Sequence, residues 1–304
     1  MNKKLGSIII GSLSIIFVLF FVISSSEIND TAPIEENLNF VPIEEKSEIM
    51  SSPRIIETNV YSLFKTFSYE DDFEIIDGQK IWRNSLYQLD ESNLEIYDEL
   101  KNDKKSAVIL PIFTAAAYSE PGFYTFYRGE CDQEFHGMLF RDDDCLTITL
   151  KDNYSAGFTA SGAATQILNL LEYELLNDIQ VHQNPEILLQ YEKIILLHNE
   201  YVTSTQFDAI TSHPNVIYLY PNALYAEIDF DEELWQITLI RGHNYPDPLI
   251  RNGFDWKFDN SLEEYDVTCE DMKFSKIDNG WMLNCYPENV LHKNKELLRQ
   301  IRDF

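Results

Sequence analysis

Residues 193–223 read KIILLHNEYVTSTQFDAITSHPNVIYLYPNA, and this stretch narrows the possible folds more than any other. Ile194, Ile195, Leu196 and Leu197 form an unbroken apolar run. Strands buried on both faces look like this, and they belong to parallel sheets covered by helices. His198, Asn199, Glu200 and Tyr201 follow at the carboxyl end of that strand. Thr203, Ser204 and Thr205 then supply N-cap residues, and Phe207 and Ile210 stand at helical spacing. His213, Pro214 and Asn215 stop the helix, because proline disfavours helical backbone in the residue before it. Residues 216–220 are a second buried strand, closed by Pro221 and Asn222. In open α/β sheets ligands bind beyond the carboxyl ends of the strands. The unit therefore places His198, Asn199, Glu200, Tyr201 and Asn222 on the ligand side.

The flanking sequence extends this rhythm. Residues 106–112 are expected as a strand, 161–174 as a helix with Ala164, Ile167, Leu168, Leu171 and Leu175 at helical spacing, 178–181 as a short strand and 185–191 as a short helix. After residue 223 the pattern turns to β. Residues 224–230 and 235–241 alternate and read as a hairpin, and 272–275 with 280–285 read as another through Asp278, Asn279 and Gly280. Residues 291–304 read as a closing basic helix. Residues 124–128 and 145–150 are expected to pair as a long hairpin. Tyr118, Phe123, Tyr124, Phe126 and Tyr127 crowd one short loop, as a binding platform or as core. The aromatics of residues 54–105 recur without clean alternation, so packed helices and loops are expected there.

The address reads as extracytoplasmic. Residues 5–23 are 19 uncharged residues, long enough to span a bilayer as a helix, with Lys3 and Lys4 before them and acidic residues after. Residues 1–26 are thus expected as a cytoplasmic stub and transmembrane anchor, 27–53 as an acidic extended linker, and 54–304 as the external body. The expected localisation is the cell membrane, single-pass, with the body outside. The alternative is a protein secreted after signal-peptide cleavage near Ser24, Ser25 and Ser26. Cys131, Cys145, Cys269 and Cys285 all follow the anchor, and the near pairs Cys131–Cys145 and Cys269–Cys285 are the expected disulfides. With 23 basic and 51 acidic residues the net charge is −28, which disfavours nucleic acid as a partner. The only membrane contact expected is the N-terminal helix.

The chemistry-bearing candidates are few. His198 and Glu200 suit either acid/base work or, with Tyr201, a metal. The plainer role for Glu200 is to favour the following helix N-terminus. His243 lies in a second His/Asp/Tyr loop, Gly242 to Asp247. Asn199, Asn222 and His243 are the candidate ligand-binding residues. No G-x-S-x-G, phosphate loop or dinucleotide-binding fingerprint occurs.

Across residues 163–223, the run Asn-Pro-Glu-Ile-Leu, then Tyr-Glu-Lys-Ile-Ile-Leu-Leu-His-x-Glu-Tyr, then Val-Thr and a helix resembles the class I glutamine-amidotransferase-like domain of the N,N-dimethylformamidase large-subunit family. The stretches FTAAAYSEPGFYTFYRGECD, LLHNEYVT and NGFDWKFDN also resemble a family of membrane-anchored surface proteins of ammonia-oxidising archaea. The first resemblance implies a three-layer flavodoxin-like or amidotransferase-like parallel sheet, here with β-hairpin insertions and one N-terminal transmembrane helix. Dimethylformamidase holds iron through tyrosine and glutamate oxygens, and Glu200 and Tyr201 fall on the shared motif. Iron, or failing that zinc, is the implied metal. The cysteine nucleophile of true amidotransferases is missing. Two functions follow. One is a degenerate amidotransferase-like module binding a small molecule, a glycan or a cell-envelope partner, which the incomplete catalytic set favours. The other is a metal-dependent hydrolase of small amides. Protease treatment of intact cells is expected to degrade the body beyond residue 26, and full protection would overturn this topology.

Overall fold

A computed structural model describes residues 54–304, except 132–133, 136–137, 140–144, 152–160, 259–270 and 289. The expected anchor, the linker and Cys269 lie outside the described residues. No described helix is long and apolar enough to cross a membrane.

In chain order the strands are β1 (Ile55–Tyr61), β2 (Phe64–Tyr69), β3 (Phe73–Ile76), β4 (Gln79–Trp82), β5 (Leu86–Leu89), β6 (Ser106–Leu110), β7 (Glu134–Phe135), β8 (Met138–Leu139) and β9 (Thr147–Thr149). They continue with β10 (Glu174–Asn177), β11 (Lys193–Leu196), β12 (Tyr201–Val202), β13 (Val216–Tyr218), β14 (Ala226–Asp231), β15 (Gln236–Arg241), β16 (Phe274–Ile277) and β17 (Gly280–Leu283). The helices are α1 (Leu94–Leu100), α2 (Ile112–Ala117), α3 (Phe123–Tyr127), α4 (Gly162–Leu170), α5 (Asp178–Gln183), α6 (Ser204–Ser212) and α7 (Lys295–Asp303).

The fold is mixed α/β around a six-stranded sheet of order β10-β6-β11-β13-β17-β16. All neighbours in it are parallel except β16, which pairs antiparallel with β17. The Ile-Ile-Leu-Leu run explains itself here. Ile195 and Leu197 pack on one face with Ala164, Ile167, Leu168, Leu297 and Ile301. Ile194 and Leu196 pack on the other with Val181, Leu188 and Ile210. Gly280 faces Val216 across β13 and β17, where a Cβ would stand 1.8 Å from the Val216 carbonyl oxygen, so only glycine permits this strand approach. Lys193 is fully buried at the start of β11. Its Nζ donates to the carbonyls of Ile301 and Arg302 at 2.7 and 2.8 Å, tying the end of α7 to the sheet.

A second sheet, β12-β14-β15-β9, encloses its own core of Ile148, Ile228, Phe230, Ile237 and Leu239 with Phe113, Phe123 and Tyr201. A third, β1-β2-β5, and the β3–β4 hairpin form the N-terminal part. The expected hairpins at β14–β15 and β16–β17 are present. So is the Cys131–Cys145 disulfide, with Cα atoms 6.2 Å apart. Cys285 is also disulfide-bonded, while its expected partner Cys269 is not among the described residues.

Four local expectations fail for physical reasons. The strand from Ser106 ends at Leu110, because Pro111 has no N–H for the ladder and caps α2 instead. Residues 178–183 are a helix, not a strand. Asn177 accepts from the Gln180 N–H at 2.8 Å and Gln180 Oε1 accepts from the Asn177 N–H at 2.9 Å, a reciprocal cap. Residues 123–127 are helical rather than a hairpin arm, with the Gly122 N–H donating to Thr125 Oγ1 at 2.9 Å. Residues 54–105 hold five strands, β1–β5, and only one short α-helix, α1. Thr66 and Ser68 occupy buried alternate positions of β2, so the alternation of sides is real but not one of hydrophobicity.

Asp178 joins these layers. It is fully buried, and its Oδ2 accepts from the Phe113 N–H at 2.8 Å, holding the first turn of α2. Its carbonyl accepts from Gln206 Nε2 at 2.7 Å, holding α6. Burial pushes its carboxyl well above the ordinary 3.8, more than the backbone N–H groups lower it. A raised carboxyl pKa means that this group's stabilisation is full below the ordinary pKa and is lost as pH rises through the folded value. Asp178→Asn keeps an acceptor for Phe113 and carries no charge. It is expected to melt higher than wild type at pH 7, with the difference closing near pH 4. Asp178→Ala leaves a buried N–H unpaired and is expected to lose about 1–3 kcal/mol. Thermal melts of both variants across pH check this.

Candidate functional site

The site forms where the chain leaves the six-stranded sheet at the end of β11 and enters the second sheet at β12. The four residues between and at these ends are His198, Asn199, Glu200 and Tyr201, and all are buried. Backbone bonds set the turn. The Leu197 N–H donates to Asn199 Oδ1 at 2.9 Å, and the Glu200 carbonyl accepts from the N–H groups of Tyr225 and Ala226, each at 2.9 Å. On the other side, Thr114 Oγ1 of α2 accepts from the Glu200 and Tyr201 N–H groups at 3.0 and 3.2 Å. The turn is therefore locked from both flanks.

Glu200 is 0% exposed, yet polar groups from three separate segments converge on its carboxylate. Tyr118, just after α2, donates to Oε2 at 2.8 Å. Tyr124 in α3 lies 3.2 Å from Oε1 and 2.7 Å from the Tyr118 hydroxyl. His198 Nε2 is 3.3 Å from Oε2, and His243 Nε2 is 3.7 Å from Oε1 and 3.3 Å from the Tyr124 hydroxyl. Burial, then the Glu200 charge, pushes the Tyr118 phenol far above its ordinary value, so it stands as a neutral donor. His243 reaches the carboxylate from a turn in which Gly242, His243 and Asn244 all have positive φ. The His243 N–H to Arg251 O and Asn244 N–H to Ile250 O bonds, each 2.7 Å, hold that conformation. A non-glycine residue stays in the left-handed region only when its surroundings over-determine it.

Behind His198 lies a second, half-buried acid. Glu288 accepts from the Tyr220 hydroxyl at 2.5 Å and from the Ala163 N–H at the start of α4 at 2.7 Å. The first turn of α4 is thus met by the chain's own carboxyl group. Burial raises the Glu288 carboxyl, and His198 opposes the rise. Asn222 Nδ2 meets His198 Nε2 at 2.8 Å. Three buried polar atoms here have no hydrogen-bond partner: His198 Nδ1, Asn199 Nδ2 and Asn222 Oδ1.

The structure thus gathers His198, Glu200, Asn222 and His243, and places Asn199 beside them. Tyr201 points elsewhere: its hydroxyl lies 3.3 Å from that of Tyr127, and its ring packs on Phe123 in the second-sheet core. Sequence reasoning missed Tyr118, Tyr124, Thr114 and Glu288. The aromatic run was the one available signal, and it resolves both ways, with Phe113 and Phe123 in the core and Tyr118 and Tyr124 on Glu200. Among the described residues no three His, Cys, Asp or Glu side chains stand as a metal-ligand group. The converging set is one carboxylate, two phenols and two imidazoles, and its oxygen donors suit a hard cation. Burying an uncompensated carboxylate costs several kcal/mol, which a cation would offset.

No protein-family model matches the chain, and no curated protein does. Thr114→Val removes the acceptor for two buried N–H groups and is expected to destabilise by roughly 2–6 kcal/mol, from about 1–3 per unpaired group. Denaturant unfolding with an unchanged m-value checks this, and Thr114→Ser, which restores the oxygen, is expected to recover most of the loss.

Proposed function

We propose that this protein is a metal-dependent hydrolase of small amides, similar in chemistry to N,N-dimethylformamidase, built on a flavodoxin-like or amidotransferase-like sheet and held outside the cell by its N-terminal segment. One observation carries the reading: two tyrosine hydroxyls from separate helical segments converge on a single buried carboxylate at the carboxyl edge of a parallel sheet. Glu200, Tyr118 and Tyr124 would hold the cation, and iron is the metal that the likeness to N,N-dimethylformamidase implies. When bound, such a cation supplies Lewis acidity toward a carbonyl oxygen and a water molecule.

The remaining residues handle orientation and protons. His198 Nε2, between Glu200 and Asn222, is the atom placed to take and return a proton. Its unpartnered Nδ1, with the free amide atoms of Asn199 and Asn222, offers donors and acceptors that a small amide's C=O and N–H can satisfy. Burial raises the Glu288 carboxyl behind His198, so the imidazole works beside two carboxyl groups held in different environments. His243 fixes the second phenol. The full burial of Glu200 keeps bulk water away, which strengthens each electrostatic contact.

Elemental analysis and amine release from short formamides test the reading together. Stoichiometric iron with a visible phenolate-to-iron absorption is expected. Tyr118→Phe and Tyr124→Phe should each weaken the band and the metal content, and Glu200→Ala should abolish both. Tyr201→Phe should leave both in place. His198→Ala should keep the metal and lose about 10²–10⁴-fold in rate. A metal-free protein whose stability ignores the Tyr118, Tyr124 and Glu200 substitutions overturns the proposal and leaves the non-catalytic binding module.

A further inference from the structure

A second cavity lies in the N-terminal part, away from Glu200, between β1, β2, β4 and the residues just before α7. Its volume is about 590 Å³, and Tyr61, Lys80, Trp82, Tyr87, His292 and Lys293 are the lining residues that matter. Three features set it apart. Although the whole chain carries 51 acidic and 23 basic residues, two lysines and no carboxylate among the described residues line this cavity. Its walls are aromatic, and the ammonium groups lie against them: Lys80 Nζ is 3.8 Å from the Phe73 ring centre and 3.9 Å from that of Trp82, and Lys293 Nζ is 5.0 Å from that of Tyr61. Contacts of this kind hold a cation in place while leaving its N–H groups free for an anion.

The third feature is His292. It lines the cavity, is 8% exposed, and is clasped by the rings of Tyr61 at 4.7 Å and Tyr87 at 5.2 Å. Its buried Nδ1 has no hydrogen-bond partner. Burial, then Lys293, pulls its pKa down to about 4, so the imidazole is neutral near pH 7. A buried polar atom without a partner is costly, and native structures seldom keep one unless a ligand or water completes it. Nothing in the Glu200 site uses this atom.

The geometry points to a binding site for an acidic sugar, a hexuronate unit of a glycan. A pyranose presents an apolar C–H face to aromatic rings, hydroxyls to side chains such as Thr58, Asn59 and Ser85, and one carboxylate to the lysines. The unpartnered His292 Nδ1 takes one ring hydroxyl. An inorganic anion satisfies only the lysines, a neutral hexose only the rings and hydroxyls, and an aromatic carboxylate the rings and lysines but no hydroxyl partner.

Isothermal titration calorimetry on the full chain in detergent micelles tests this with four probes: glucuronate, glucose, benzoate and inorganic phosphate. Glucuronate is expected to bind at least about tenfold more tightly than each of the other three, and more weakly as salt rises. The double variant Lys80→Gln, Lys293→Gln alters side chains at the surface. It should leave the melting temperature unchanged and lower glucuronate affinity about tenfold, from a few-fold per partly exposed charge. His292→Phe, which fills the same space without a polar atom, should weaken glucuronate and leave benzoate unchanged. Equal binding of glucose, benzoate or phosphate, or glucuronate binding that the lysine variant does not change, overturns the assignment. Metal content serves as an independent readout: it should be the same in every variant, because none touches Glu200, Tyr118 or Tyr124.

Discussion

A carboxylate with no exposure and, among the described residues, no lysine or arginine beside it is the constraint on which the rest of this structure depends. Glu200 sits at the joint between two sheets, where water cannot reach it. Its charge is balanced by hydrogen-bond donors alone, and each comes from a different part of the chain: Tyr118 and Tyr124 from residues 112–127, His198 from its own turn, His243 from the loop after β15. The energetic demand of one buried charge thus draws together segments that no local preference would bring into contact. Several supporting interactions serve the same end. Thr114 holds the Glu200 turn, Asp178 holds the helix that carries Thr114, and α6 is tied to Asp178 through Gln206.

How much of this was legible in the sequence follows from how local each feature is. The β11–α6–β13 unit could be read because an apolar run, a cap and a proline stop are all short-range signals. The same holds for the β14–β15 and β16–β17 hairpins and for the Cys131–Cys145 pair. His198, Glu200, Asn222 and His243 could be chosen because strand ends and loops are where chemistry sits in such sheets. The two tyrosines could not. Tyr118 and Tyr124 lie six residues apart on either side of a turn, and what pairs them is a residue 82 positions from one and 76 from the other. Glu288 was hidden for the same reason: its partners are Ala163 and Tyr220, 125 and 68 positions away. The β2 strand was missed because its buried positions hold Thr66 and Ser68, whose hydroxyls are satisfied by Asn59 and Asn84 carbonyls rather than by apolar contact.

The two carboxyl groups flanking His198 are managed by opposite means. Glu200 receives phenol and imidazole donors. Glu288 receives a helix N-terminal N–H and the Tyr220 hydroxyl, yet burial still raises its carboxyl. One imidazole nitrogen cannot accept from Asn222 Nδ2 and donate to Glu200 Oε2 at once. With Glu200 ionised and uncompensated, Nε2 must carry the proton and Asn222 must turn its oxygen toward it. With the charge of Glu200 taken up elsewhere, Nε2 is free to accept from the Asn222 amide, and the proton moves to Nδ1, the atom that has no partner within the protein. Compensation of the Glu200 charge therefore selects which edge of His198 can accept a hydrogen bond. In the second arrangement the Nδ1 proton joins the amide atoms of Asn199 and Asn222 as buried polar atoms with no partner within the protein.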